Sequence, residues 1–257
     1  MPQKERADQL LYENGLAATR EGAKRLIMAG LVWYKLPDGR QERVAKPGTR
    51  YPADTPFHLK GQERFVSRGA YKLLTALEGF SLPVEGVVAL DAGASTGGFT
   101  DCLLQHGASR VYAVDVGHNQ LHEKLRADPR VVSMEKTNLR DAPLDLIPER
   151  VDIVTADVSF ISLTLVLPGC VQFLKPDGHV AALIKPQFEL GPEAAPKGVV
   201  RDESLRRAAV DKVTAFAERE LSLHLLGVLP AAVKGPKGNQ EYMAVWQFRS
   251  KTPEETE

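Results

Sequence analysis

The chain has 257 residues, 43% of them hydrophobic and 26% charged, with no net charge. At about 150 residues per domain this is two domains or one large α/β domain, long enough to bury a core without disulfide or metal staples. Two cysteines in apolar stretches, Cys102 and Cys170, exclude a disulfide scaffold and suit a reducing, cytoplasmic setting. The start, MPQKERADQ, is too polar for a secretory signal, and the least charged stretch, 158–174, falls short of the roughly 20 residues a bilayer requires. No membrane association is expected.

Charge is unevenly placed. Residues 1–72 hold 14 Lys+Arg against 8 Asp+Glu, a net of +6, and the remainder carries −6. In the front part, Ala7, Leu10 and Leu11 have helical spacing and Gly15 ends that helix. Thr19 reads as the N-cap of a second helix from Arg20 to Ala29, with Ala23, Leu26 and Ile27 inward and Gly30 closing it before a short strand, LVWYK. PDG, KPG, YPAD and TPF then mark turns up to a boundary in the polar segment at 60–66. The predicted domains are 1–62, 63–250 and a frayed tail, 251–257. Arg6, Arg20, Lys24 and Arg25 crowd the outer faces of the two helices, enough charge to hold a few phosphates of an RNA. A helical hairpin used only for packing or dimerisation is the alternative. The motifs R-x-D-x-x-L (6–11), GLAATREGAKRLIMAGLV (15–32) and VAKPGTRY (44–51) resemble the alpha-L RNA-binding domain of a ribosomal small-subunit protein. That resemblance implies a small α+β module gripping folded RNA by shape and phosphates.

Beyond residue 66 apolar strands alternate with amphipathic helices. VVALD (87–91) leads into the glycine-rich AGASTGGFTDCLL, and RVYAVD follows, its Asp115 24 residues after Asp91. Strand, glycine-rich turn and helix form a ligand site at the strand ends of an α/β sheet, and a carboxylate ending the next strand can accept from both ribose hydroxyls. Five later runs, at 131–134, 152–156, 179–184, 223–229 and 242–248, bring the total to seven strands. About a dozen residues join the last two, too few for a crossover helix, so the final strand is expected to run antiparallel.

The turn lacks the G-x-G-x-x-G that seats a dinucleotide pyrophosphate. Its pattern resembles Rossmann-like methyltransferases, with a nicotinamide enzyme as the alternative. The resemblance implies S-adenosylmethionine as cofactor, with Gly93, Ser95, Thr96 and Gly97 around its methionine part and Asp115 on its ribose. Asp91 would order the turn, and Asn138 in TNLRD would meet the adenine unless it is a plain loop residue. No metal is expected.

Four charged residues fall at the same sheet edge. Lys72 lies in RGAYKLLTALEGF before the first strand of the sheet, Asp157 ends the fourth in TADVSFIS, Lys185 ends the fifth in IKPQFE, and Glu241 begins the last in KGNQEYMAV. A ribose hydroxyl is a poor nucleophile and needs in-line placement and a proton acceptor. Lysine serves as an acceptor only when its environment favours the neutral form, and Lys185, at the end of an apolar strand, is expected to be better desolvated than Lys72. Each residue alone also reads as a surface ion pair.

Over nearly its whole length the chain resembles the TlyA-type ribosomal RNA cytidine 2′-O-methyltransferases, whose family also carries a haemolysin label. SRGAYKLL, LDAGASTGGFTDCLL, AVDVGHNQL, TADVSFISL, LIKPQFE and KGNQEY carry the likeness, with Ala92 a small departure. Similarity to the wider FtsJ-like group implies a Lys-Asp-Lys-Glu tetrad at Lys72, Asp157, Lys185 and Glu241. It also implies ribosomal RNA or ribosomal subunits as partner, the large and in some members the small. DVSF stands where amine-methylating relatives carry an N-P-P-Y-like run, favouring oxygen as acceptor. A non-catalytic RNA-binding factor and a membrane-lytic protein remain as alternatives, and the sequence leaves nucleotide and oligomeric state open.

Overall fold

A computed structural model describes residues 4–249 except 18, 37 and 61–63. The tail at 251–257 and part of the boundary segment at 60–66 lie outside the described residues. The chain divides into two compact units, Met1–Arg64 and Phe65–Glu257.

The first unit comprises β1 (Lys4–Arg6), α1 (Ala7–Glu13), α2 (Arg20–Met28), β2 (Val32–Lys35), β3 (Gln41–Arg43), β4 (Arg50–Pro52) and β5 (Phe57–Leu59). Thr19 Oγ1 accepts from the Gly22 N–H at 3.0 Å, capping α2 at the expected residue. Gly15 and Gly30 follow the two helices with φ of 71° and 75°, the left-handed turn that halts a helix. β1 pairs with β4, and β2 lies between β3 and β5. Four of these strands are three residues long, too short to leave an alternating pattern in the sequence. Ala7, Leu10, Leu11, Ala23, Ile27, Val32, Val44 and Phe57 form the core of this unit.

The second unit runs α3 (Ala70–Gly79), β6 (Val88–Ala92), α4 (Gly98–Gln105), β7 (Arg110–Val114), α5 (Glu123–Arg126), β8 (Val131–Met134) and β9 (Val151–Ala156). It continues with α6 (Leu163–Val171), β10 (Leu174–Ile184), α7 (Pro186–Glu189), α8 (Glu203–Leu221), β11 (Leu223–Pro230) and β12 (Tyr242–Phe248). All seven expected strands join one sheet in the order β11-β12-β10-β9-β6-β7-β8. β12 is antiparallel to both neighbours, β10 and β11, as the short connection required.

Alternate residues of each strand face opposite layers. Ala89, Ile153, Ala181, Leu183, Met243 and Val245 pack with α3, α4 and α5. Leu90, Ala92, Val154, Ala156, Val180 and Ala182 pack with α6 and α8. Both faces are covered, so the central strands are apolar throughout. Cys102 and Cys170 are both buried, and burial pushes the Cys170 thiol up to about 12, which keeps it unreactive. The parallel strands β6, β7, β9 and β10 end on one edge, where the candidate residues collect.

Candidate active site

The chain leaves β6 through Gly93 at φ 79°, and a Cβ there would stand 3.0 Å from the Asp157 carbonyl oxygen. Only glycine lets the ends of β6 and β9 approach this closely. The next turn folds onto Asp115, whose carboxylate accepts from the Ser95 N–H at 2.8 Å and the Gly117 N–H at 2.6 Å. Asp115 is thereby fixed in a cavity of about 380 Å³, with lone pairs left for a ligand. Val116, Leu139 and Ile161 give the cavity an apolar wall, and Asn138 lines it while capping a short turn through the Arg140 N–H at 3.1 Å. A carboxylate beside an apolar slot fits a nucleoside: a diol to one side and a flat ring to the other. The residues therefore suit the cofactor that the turn sequence implied.

Asp91, expected to order the turn, and Gly97, expected around the methionine part, both stand behind the cavity walls. Asp91 lines neither this cavity nor the one beside it; it is fully buried and accepts from Thr100 Oγ1 at 2.7 Å and Thr155 Oγ1 at 3.1 Å. Burial pushes its carboxyl up to about 6, with the two hydroxyls opposing the shift. It ties β6 to α4 and β9 and orders the turn from behind. Gly97 also lines neither cavity. A Cβ there would collide with Leu125 and Leu121, so its glycine serves the packing of α5.

A second cavity of about 230 Å³ adjoins the first and shares Gly93, Ser95, Asp157 and Ser159 with it. Thr96 lines this second cavity, together with all four candidate catalytic residues. They form two pairs. Lys72 Nζ lies 2.6 Å from Glu241 Oε2, and Lys185 Nζ lies 2.6 Å from Asp157 Oδ1 while donating to Ser159 Oγ at 2.8 Å. The Lys185–Asp157 contact is an ion pair without hydrogen-bond alignment at Oδ1. Glu241 is fully buried and also accepts from Gln187 Nε2 at 3.2 Å. The lysines do not differ in burial as expected: Lys72 is 8% exposed and Lys185 7%. What separates them is place, because the partners of Lys185 line both cavities and those of Lys72 line only the second.

Residues 65–248 match the model of the FtsJ-like methyltransferases. The chain belongs to that family. It is 45% identical over 94% of its length to the Mycobacterium tuberculosis "16S/23S rRNA (cytidine-2'-O)-methyltransferase TlyA", of which it covers 89%. It is 46% identical over 93% of its length to the Bacillus subtilis "Putative rRNA methyltransferase YqxC", covering 84% of that protein. A solved chain described as "Putative hemolysin from Streptococcus thermophilus" superposes with a TM-score of 0.71 at 46% identity, covering 98% of this chain and 90% of that one. The FtsJ-like match embraces both cavities and all four paired residues. Among the described residues no helix is long and apolar enough to cross a membrane.

Ser159, Gln187 and Phe160 are among the residues of the FtsJ-like domain that line the site without having been singled out. Phe160 is 90% exposed at φ 65°, and its ring centre lies 5.0 Å from that of Phe188 at the border of the two cavities. Its place in DVSF, directly after the strand end that supplies Asp157, was the available clue. In the first unit the expected basic face is partly neutralised. Arg6 grips the buried Asp8 through Nε and Nη2 at 2.9 and 3.0 Å, and Arg20 reaches the same carboxylate at 3.4 Å. The Arg6 guanidinium holds the Asp8 carboxyl below the usual range. Lys24 pairs with Glu21 at 2.9 Å, and Arg25 is exposed at the last turn of α2.

Proposed function

We propose that this protein transfers a methyl group from S-adenosylmethionine to the ribose 2′-hydroxyl of a cytidine in ribosomal RNA, in the large subunit and also the small, within the cytoplasm. The observation that carries this reading is the pair of lysine–carboxylate contacts around a chamber that opens, past Asp157 and Ser159, into the cavity of Asp115. A nucleoside-sized slot next to a small polar chamber suits a methyl donor and a hydroxyl acceptor meeting at their common wall. The name of the Mycobacterium tuberculosis relative supports ribose oxygen, cytidine and both subunits.

The cofactor supplies an electrophilic methyl group on a sulfonium. Asp115 accepts from its ribose diol, and Gly93, Ser95 and Thr96 line the methionine end. Lys72, held by Glu241, donates to the acceptor oxygen and aligns it. Lys185, at the common wall, would in its unprotonated form take the hydroxyl proton as the oxygen–carbon bond forms and the sulfur–methyl bond breaks, the donor leaving as the thioether, and Asp157 would stabilise the ammonium that Lys185 becomes. Alignment within a closed chamber replaces a bimolecular encounter with one geometry, so positioning supplies much of the acceleration. Phe160 offers an exposed ring on which a nucleobase can stack. The basic residues of the first unit, Arg25 above all, contribute phosphate contacts that place the RNA without reading its sequence. Tritium transfer from labelled S-adenosylmethionine into purified ribosomal subunits tests the reading. Incorporation is expected, and none into either subunit contradicts it.

A further inference from the structure

Gln187 sits on the short helix α7, three residues beyond the end of β10, and lines the acceptor chamber. Its Nε2 donates to Glu241 Oε1 at 3.2 Å. The other Glu241 oxygen accepts from Lys72 Nζ at 2.6 Å, so each oxygen of this carboxylate faces a donor. That fixes the amide orientation: nitrogen toward Glu241, oxygen away from it. Gln187 Oε1 is then a buried acceptor that receives no hydrogen bond from any described residue. A buried acceptor without a donor is costly, and a ligand that brings the donor recovers that cost.

The donors of a bound cytidine are few. Within an RNA chain the 3′-oxygen is esterified, and the hydrogen of the 2′-hydroxyl is committed to Lys185. The remaining donor is the exocyclic 4-amino group of cytosine. Uridine carries an oxygen at that position, which would face Oε1 acceptor to acceptor. We propose that Gln187 is the residue that selects cytidine, its Oε1 accepting from the cytosine 4-amino group while Glu241 holds the amide in place. This rests on the methyl-transfer reading above and adds the choice of base to it.

The test compares ribosomal subunits carrying the natural cytidine at the methylated position with subunits in which that position is uridine, for the full-length enzyme and for Gln187→Met. The native enzyme should favour cytidine by roughly ten- to a hundredfold in kcat/KM. Gln187→Met should be slower on both substrates and bring the ratio close to one. A Gln187→Met enzyme that keeps the native ratio, whatever its absolute rate, overturns the proposal and leaves Gln187 as a support for Glu241 only. So does a native ratio near one, which needs no variant to fold. Calorimetry with S-adenosylmethionine should show unchanged affinity in Gln187→Met; a lost affinity with the ratio retained would assign Oε1 to the ammonium of the cofactor. Failure of the native enzyme to methylate the cytidine subunits would instead strike the methyl-transfer reading itself.

Discussion

A 2.6 Å contact with Asp157 holds Lys185 at the wall shared by the two cavities. The role assigned to Lys185 is therefore to complete proton transfer beside a carboxylate that welcomes the product ammonium. Lys185→Ala should reduce single-turnover transfer at least a thousandfold, on the order expected for a lost general base, while the affinity for S-adenosylmethionine stays within about twofold. Lys185→Arg should not rescue, since arginine stays protonated; near-normal turnover in that variant would reduce the lysine to a positioning charge. Asp91 carries a different prediction. Its carboxyl is raised in the folded state, so the fold binds an extra proton between the unfolded value near 4 and the folded value of about 6. Stability from this group is present below that window and lost as pH rises through it, by roughly 3 kcal/mol. Urea midpoints from pH 4 to 7 should fall more steeply for the native protein than for Asp91→Asn, and parallel curves would contradict the buried-carboxylate account. The sequence made Asp91 visible as a carboxylate at a strand end but not which way it pointed. That depends on Thr100 and Thr155, one on the following helix and one 64 residues on.

At the scale of elements the sheet was readable because its strands are apolar runs of four residues or longer, covered on both faces. The strands of the first unit were largely unreadable because three residues carry no period. The pairing within the tetrad was equally hidden. Four strand-end and helix residues were expected at one edge, but their partners are set by the insertion of β12 beside β10, which brings Glu241 to Lys72 and leaves Asp157 to Lys185. Gln187 gave no sign because one amide after a proline has no distinctive composition; only its adjacency to Lys185 in IKPQFE marked it. Close approach of elements is likewise invisible until they are packed. Gly169 in α6 faces the carbonyl of Leu139, and a methyl group there would overlap that backbone oxygen. Gly169→Ala should lower stability by about 1–3 kcal/mol, against the few tenths to one that helix propensity alone would add in its favour. A melting temperature at or above the native one would show that the segment bearing Asn138 and Leu139 yields freely.

For the whole molecule, the charge split at residue 72 pointed to two parts with different work, and the chain does form two compact units. Sequence charge overstated the free positive face, because burying Asp8 consumes Arg6 and part of Arg20. Arg25→Ala is therefore a cleaner probe of phosphate contact than Arg6→Ala, which also strips a partner from a buried carboxylate. Removing residues 1–60 should leave a domain that binds S-adenosylmethionine normally and methylates ribosomal subunits at least tenfold more slowly; full activity from the truncated chain would make the first unit dispensable. The central claim is that the two adjoining cavities direct a methyl group to ribose oxygen, and its most direct measurement is the location of the label. Subunits methylated with tritiated S-adenosylmethionine should yield all label as 2′-O-methylcytidine, in dinucleotides resistant to alkaline hydrolysis. Label on a base, in alkali-sensitive nucleotides, would contradict the assignment of the paired lysines and carboxylates to a hydroxyl acceptor.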